Sequence, residues 1–171
     1  MRIGTPRAIT PFVRNLRVSA FQPSAGKLQS LECPAGLEAL GMAARSFAQN
    51  FCNLHEEITQ RGGADEVVYY ACRFACPEVM NLALKLGYDG PVKAWIDGKL
   101  VMHDPNGVNP ATPDKSSSRL AAAAGQHEIV VALGTNSGKA WGIFLSLERL
   151  GLSKALMLKG PEHYAMPEIL G

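Results

Sequence analysis

From His103 to Ser118 the chain reads His-Asp-Pro-Asn-Gly-Val-Asn-Pro-Ala-Thr-Pro-Asp-Lys-Ser-Ser-Ser, a stretch crowded with carboxylate and amide oxygens. His103, Asp104, Asn106, Asn109 and Asp114 carry the groups needed to hydrogen-bond the hydroxyls of a ligand. The same oxygens are hard donors of the kind calcium prefers, with Asp104, Asn106 and Asp114 as the candidate ligands. They are also ordinary turn residues, because Asp and Asn side chains bond their own backbone. An EF-hand is excluded: counting from Asp104, glycine falls at the fourth position instead of the sixth, and the twelfth is Lys115.

Other chemical patterns fail on spacing. Gly134-Thr-Asn-Ser-Gly-Lys139 resembles a phosphate-binding loop but has three residues between its glycines where four are needed. Ala140 also stands where a magnesium-binding hydroxyl belongs, and a strand pattern follows it instead of a helix. His55-Glu56-Glu57-Ile58-Thr59 lacks the second histidine of a zinc protease. No G-x-S-x-G elbow occurs. Glu56 and Glu57, read as neighbours on a strand, point to opposite faces and cannot flank one bond. His55, His103, His127 and His163 show no metal spacing. No catalytic motif is found, so the expectation is a protein that is not an enzyme.

The elements around this loop are extended. Asp89-Gly90-Pro91 is a turn. Val92, Ala94 and Ile96 then alternate with Lys93, Trp95 and Asp97, and Asp97-Gly98 is the dipeptide of a two-residue hairpin, with Lys99–Met102 running back. Upstream, Asn15–Phe21, Phe51–Ile58, Glu66–Ala75 and Val79–Leu86 carry the same period of two. Downstream come a short edge strand at Ser118–Ala121, then His127–Leu133 and Trp141–Leu150. Gln22–Gly36 is loop, and Leu37–Ala48 reads either as a short helix or as two strands split at Gly41. Met1 to Pro11 looks like a loose arm. About eight to nine short strands at roughly ten-residue spacing, with little helix, argue for an all-β antiparallel sandwich. In domain terms, residues 1–14 form an N-terminal arm, 15–150 the sandwich, and 151–171 a C-terminal strap or connector.

Composition bounds the setting. With 171 residues, 47% apolar and 19% charged, one globular domain is expected. A formal charge of +2, from scattered lysines and arginines, offers no nucleic-acid surface. No apolar run is long enough to span a membrane. No secretory signal is visible, which favours an intracellular, cytoplasmic protein or one domain cut from a longer chain. The four cysteines, Cys33, Cys52, Cys72 and Cys76, lack a C-x-x-C pair and are read as buried free thiols.

The order of pieces adds a family resemblance. The runs LALKLGYDGPVKAWIDGKLV, GQHEIVVALG and KAWGIFLSLERL resemble the second half of a galactose-binding-domain-like jelly roll, across about Glu66–Leu150. The resemblance implies a non-catalytic carbohydrate-binding or glycosidase-associated domain. Its partner would be a glycan or a neighbouring catalytic domain. No cofactor is expected other than a structural calcium, for which the oxygens of the 104–114 loop are the candidates. The alternative is a structural or protein-interaction jelly roll without sugar affinity, and a homo-oligomer stays open. Sugar recognition needs an apolar platform for C–H faces beside planar polar groups. Trp95, set opposite the Val92/Ala94/Ile96 face, and Trp141 are the platform candidates, each equally readable as core or rim packing. With Asn136 they join His103, Asp104, Asn109 and Asp114 as the expected ligand-binding set. The 104–114 loop and the 134–139 turn are expected at one end of the sandwich.

Overall fold

In the computed structural model, which describes residues 6–24 and 28–171, the chain folds as two antiparallel sheets packed face to face. Residues 1–5 of the expected arm and 25–27 of the expected 22–36 loop lie outside the described residues. In chain order the elements begin with β1 (Ala8–Ile9), β2 (Asn15–Val18), β3 (Gln22–Pro23), β4 (Ala43–Ser46), β5 (Cys52–Asn53), α1 (His55–Gln60) and β6 (Glu66–Cys76). They continue as β7 (Met80–Tyr88), β8 (Val92–Ile96), β9 (Lys99–Asp104), β10 (Ser116–Ala122), β11 (Gly125–Gly134), β12 (Gly142–Arg149), α2 (Lys154–Lys159) and β13 (Glu168–Ile169). Strand accounts for about 45% of the described residues and helix for 13%, far below the third typical of soluble domains, which makes this an all-β protein.

The larger sheet runs β4-β2-β6-β11-β8-β9. The smaller runs β1-β12-β7-β10. Each is finished by short pieces: β3 and β13 lie with β2 along one edge of β6, and β5 lies with β1 along one edge of β12. The period of two explains the core. Val68, Tyr70, Cys72 and Phe74 of β6 face Leu82, Leu84 and Leu86 of β7, and all are buried. Each such side chain is worth about 1.5–3 kcal/mol of burial. Asp97 and Gly98 both take positive φ, 52° and 80°, as the two-residue hairpin between β8 and β9 requires.

Several expectations are corrected. Part of the expected arm is a strand, for β1 pairs with the end of β12. Leu37–Ala48 is a 3-10 turn at Glu38–Leu40 and then β4, divided at Gly41, whose φ is 67°. Only Cys52–Asn53 of the Phe51–Ile58 pattern is strand. There the Asn53 side-chain oxygen accepts the His55 amide at 2.8 Å and turns the chain into α1, with Glu56 and Glu57 in its positive first turn. The edge strand expected at Ser118–Ala121 extends from Ser116 to Ala122 and pairs with β7 along that whole length.

The outer face of the larger sheet is covered as well. Val67, Tyr69, Ala71, Trp95, Val130 and Ala132 form a second cluster beneath Leu28, Leu31, Cys33, Leu37, Leu40 and Met42. Lys93 is buried with them, its ammonium donating to the carbonyls of Gln29 (2.8 Å) and Leu31 (2.7 Å). All four cysteines are free, and burial pushes the Cys52 thiol up to about 12 and Cys72 to about 11. Among the described residues no helix is long and apolar enough to cross a membrane.

Candidate functional site

The strand order decides which loops meet. β11 lies in the larger sheet and β12 in the smaller, so they are not a hairpin: Gly134–Trp141 carries the chain from one sheet to the other. The 105–115 loop likewise crosses from β9 to β10. At the crossing the loops touch, with the Asn109 amide donating to the Lys139 carbonyl at 2.9 Å. Glycines allow the approach. A Cβ on Gly107 would lie 2.1 Å from the Gly90 carbonyl oxygen, and one on Gly90 2.2 Å from that of Gly134.

Lys115 pins the long loop from inside. Its ammonium donates to the carbonyls of Tyr88 (2.9 Å), Pro110 (3.1 Å) and Val108, and sits 5.0 Å from the centre of the Tyr88 ring. At the loop's start, the Tyr88 hydroxyl donates to Asp104 Oδ2 at 2.6 Å, and the Asn106 amide donates to Asp104 Oδ1 at 2.9 Å. Burial, with the Asp104 hydrogen bond behind it, pushes the Tyr88 hydroxyl up to about 12.

Where these loops meet β12, a cavity of about 370 Å³ is lined by Phe51, Asp89, Asn109, Pro110, Ala111 and Trp141. That volume lies within the range of small-molecule sites. Trp141 is 41% exposed. Its ring stacks on the His55 imidazole, centroids 3.8 Å apart and planes at 19°, so α1 supports it from one side. Asp89 holds its backbone: Oδ1 accepts the amides of Trp141 (2.8 Å) and Gly142 (3.1 Å). Burial raises the Asp89 pKa, and those two amides and Lys115 counter only part of that rise. Neither amide bonds Oδ2, and the Asn109 side-chain oxygen is likewise not the atom spent on Lys139. The pocket thus offers an aromatic plate beside hydrogen-bond acceptors.

Of the residues expected from sequence, only Asn109 and Trp141 line this cavity. Trp95 is buried, 3% exposed, under the 28–42 segment on the opposite side of the molecule, and has no face to offer a ligand. His103 is exposed on β9 across from Lys93, also on that side. Asp104 is engaged by Tyr88 and Asn106. Asp114 is exposed and acts electrostatically on Arg7. Asn136 takes a positive φ of 50° in the turn, a backbone role. Among the described residues no three His, Cys, Asp or Glu side chains gather as a metal site. Sequence reasoning missed Asp89, Phe51 and His55. Asp89 looked like a turn residue, and His55 was judged on sequence spacing when its contact is a ring from a distant loop, that of Trp141.

No family model matches the chain, and no curated protein matches it in sequence. Solved structures match in fold. A β-glucosidase from Kluyveromyces marxianus aligns with TM-score 0.56 and 12% identity, over 84% of this chain and 17% of its own. A GH2 β-galacturonidase from Eisenbergiella tayi bound to glycerol aligns with TM-score 0.52 and 16% identity, over 85% and 25%. A β-glucuronidase from an uncultured Clostridium species gives 0.51 and 12%, over 86% and 30%. The chain therefore spans less than a third of each of these structures. At such identities the likeness is one of fold. That fold is a two-sheet antiparallel sandwich. Its two-sheet order is consistent with the jelly roll that the sequence resemblance implies.

Proposed function

We propose that the chain is a non-catalytic carbohydrate-binding domain whose ligand seats against Trp141. The observation that carries this reading is the exposed indole face, stacked from behind by His55 and flanked by the acceptors of Asp89 and Asn109. A sugar ring presents a C–H face to an aromatic plate and hydroxyl donors at its edge, and the pocket complements both. The likeness in fold to glycosidase structures favours a second partner, a catalytic domain beside this one.

The test is calorimetric titration and glycan-array binding with neutral mono- and oligosaccharides, on the wild type and Trp141→Ala. Trp141→Ala is expected to lose binding while its melting midpoint stays within a few degrees, as for a half-exposed side chain. Absence of any glycan binding by the wild type, with or without calcium, would overturn the reading. The same titrations should show no calcium dependence, because both Asp104 oxygens are already engaged and Asp114 lies toward Arg7.

A further inference from the structure

The Trp141 pocket continues into a row of aromatic rings. Phe51, which lines the pocket, stacks on Phe144 of β12 with centroids 4.8 Å apart and planes at 21°. Phe144 meets Phe12 edge-on at 5.7 Å. Phe12 in turn lines a groove of about 800 Å³ between the Ile9–Asn15 segment and the C-terminal residues Pro161–Gly171. The two cavities also have lining residues adjacent in sequence, Asn50 in the groove and Phe51 in the pocket.

Sequence parity explains why the rings line up. Ile143, Leu145 and Leu147 of β12 point into the core, so Phe144 points outward. Cys52 is buried in β5, so Phe51 projects to the same outer side. Past β1 the chain follows β12, with the Thr10 and Val13 amides donating to the Leu147 and Leu145 carbonyls, which sets Phe12 beside Phe144. None of the three phenylalanines is fully buried.

The groove also carries planar polar groups. The Arg14 Nε donates to Asn50 Oδ1 at 3.1 Å, and its terminal nitrogen donates to the Ala48 carbonyl. That leaves the Asn50 amide nitrogen and the remaining guanidinium donors at the groove edge. Ile9 and Leu170 are each 39% exposed there. Apolar plates with flanking amides and a guanidinium suit a polyhydroxylated chain better than a bare apolar peptide face.

Resting on the carbohydrate reading above, we infer that the ligand is an extended neutral oligosaccharide. One sugar sits on Trp141, and the following units cross Phe51, Phe144 and Phe12 into the groove by Arg14 and Asn50. A lone monosaccharide fills only the pocket.

The experiment titrates methyl glucoside and methyl galactoside, and the β-1,4-linked di- to hexasaccharides of each, into the wild type, Phe12→Ala, Asn50→Ala and Trp141→Ala. In the wild type, affinity should rise about tenfold or more between the monosaccharide and the longest chains, the effect of one or two added ring contacts. Phe12→Ala and Asn50→Ala should each erode that gain. Trp141→Ala should weaken every length. Because Phe12 also packs on Phe144, melting midpoints are read in parallel, and Asn50→Ala carries the same test if Phe12→Ala does not fold. Monosaccharide binding with no gain along the series would overturn the extended site and leave the Trp141 reading intact. Equal losses at all lengths in Asn50→Ala would also overturn it. Binding of nothing at any length would remove both.

Discussion

Asp89 is the residue whose removal the structure prices most directly. It is 3% exposed, and one carboxylate oxygen accepts the amides of Trp141 and Gly142 at 2.8 and 3.1 Å. Asp89→Ala leaves both amides without an acceptor. An unsatisfied buried donor costs about 1–3 kcal/mol. The Gly142 amide is fully enclosed, whereas that of Trp141 lies nearer solvent and recovers part of its loss, so the sum is about 3 kcal/mol. For a chain of this size each kcal/mol moves the melting midpoint by about 2–4 °C, which predicts a fall of roughly 6–12 °C. Asp89→Asn keeps an oxygen acceptor and should cost about 1 kcal/mol. Differential scanning calorimetry reads the midpoint, and acrylamide quenching reads Trp141, because Trp95 is buried. The Ala variant should quench more readily as the indole loses its anchored backbone. The pH dependence has a defined sign. A carboxyl whose folded pKa is raised binds its proton more tightly in the native state, so its contribution falls as pH rises from the unfolded value of about 3.9 through the raised one. That slope should vanish in Asp89→Asn. An Asp89→Ala midpoint within about 2 °C of wild type would refute the assignment of those amides to this carboxylate.

Gly107→Ala should be destabilising by about 1–3 kcal/mol through overpacking, since its Cβ would enter the Gly90 carbonyl, and it should weaken ligand binding by lifting the 105–115 loop. Thermal melts that leave Gly107→Ala unchanged would show that the loop is not seated on the 89–91 turn. His127 supplies a further pH signature. Burial pulls its pKa down, but hydrogen bonding to Asp97 Oδ2 (2.6 Å) and the Ala123 carbonyl (2.7 Å), together with the Asp97 charge, outweighs that and raises it. Its stabilisation is full below the unfolded value of about 6.5 and is lost as pH rises through the folded one, so the midpoint should decline above about pH 6.5. His127→Gln should flatten that decline, and an unchanged slope would contradict it.

The period of two made most of the fold readable, because β6, β7, β8, β11 and β12 each bury one face against the other sheet and their side chains alternate accordingly. Where two faces are covered, the pattern misleads. Trp95 alternates out of the core, which leaves a platform role and a packing role equally open, and it is buried by a segment that follows no period, Leu28 to Met42. Short pairs such as β1, β5 and β13 take their conformation from the strand they join, and two residues carry no period to read. The α1 start depended on one side-chain bond from Asn53, too local an event for a hydrophobic pattern to report.

The candidate site was legible only as loops, and for a physical reason. Its groups come from the ends of elements: Phe51 before β5, His55 opening α1, Asp89 after β7, Asn109 in mid-loop and Trp141 before β12. What brings them together is the passage of the chain from one sheet to the other, and sequence spacing does not record which sheet a strand joins. Once β11 and β12 are assigned to different sheets, Gly134–Trp141 must span the sandwich, and the 105–115 loop must do the same between β9 and β10. Both crossings then press on the Asp89–Pro91 turn, where Gly90 admits the first and Gly107 the second. Asp89 faces two amides of the first crossing, and Lys115 holds three carbonyls, those of Tyr88, Val108 and Pro110, in and beneath the second. Two charged side chains spent on backbone groups thus set the geometry, and Trp141 and Asn109 are left turned toward whatever enters.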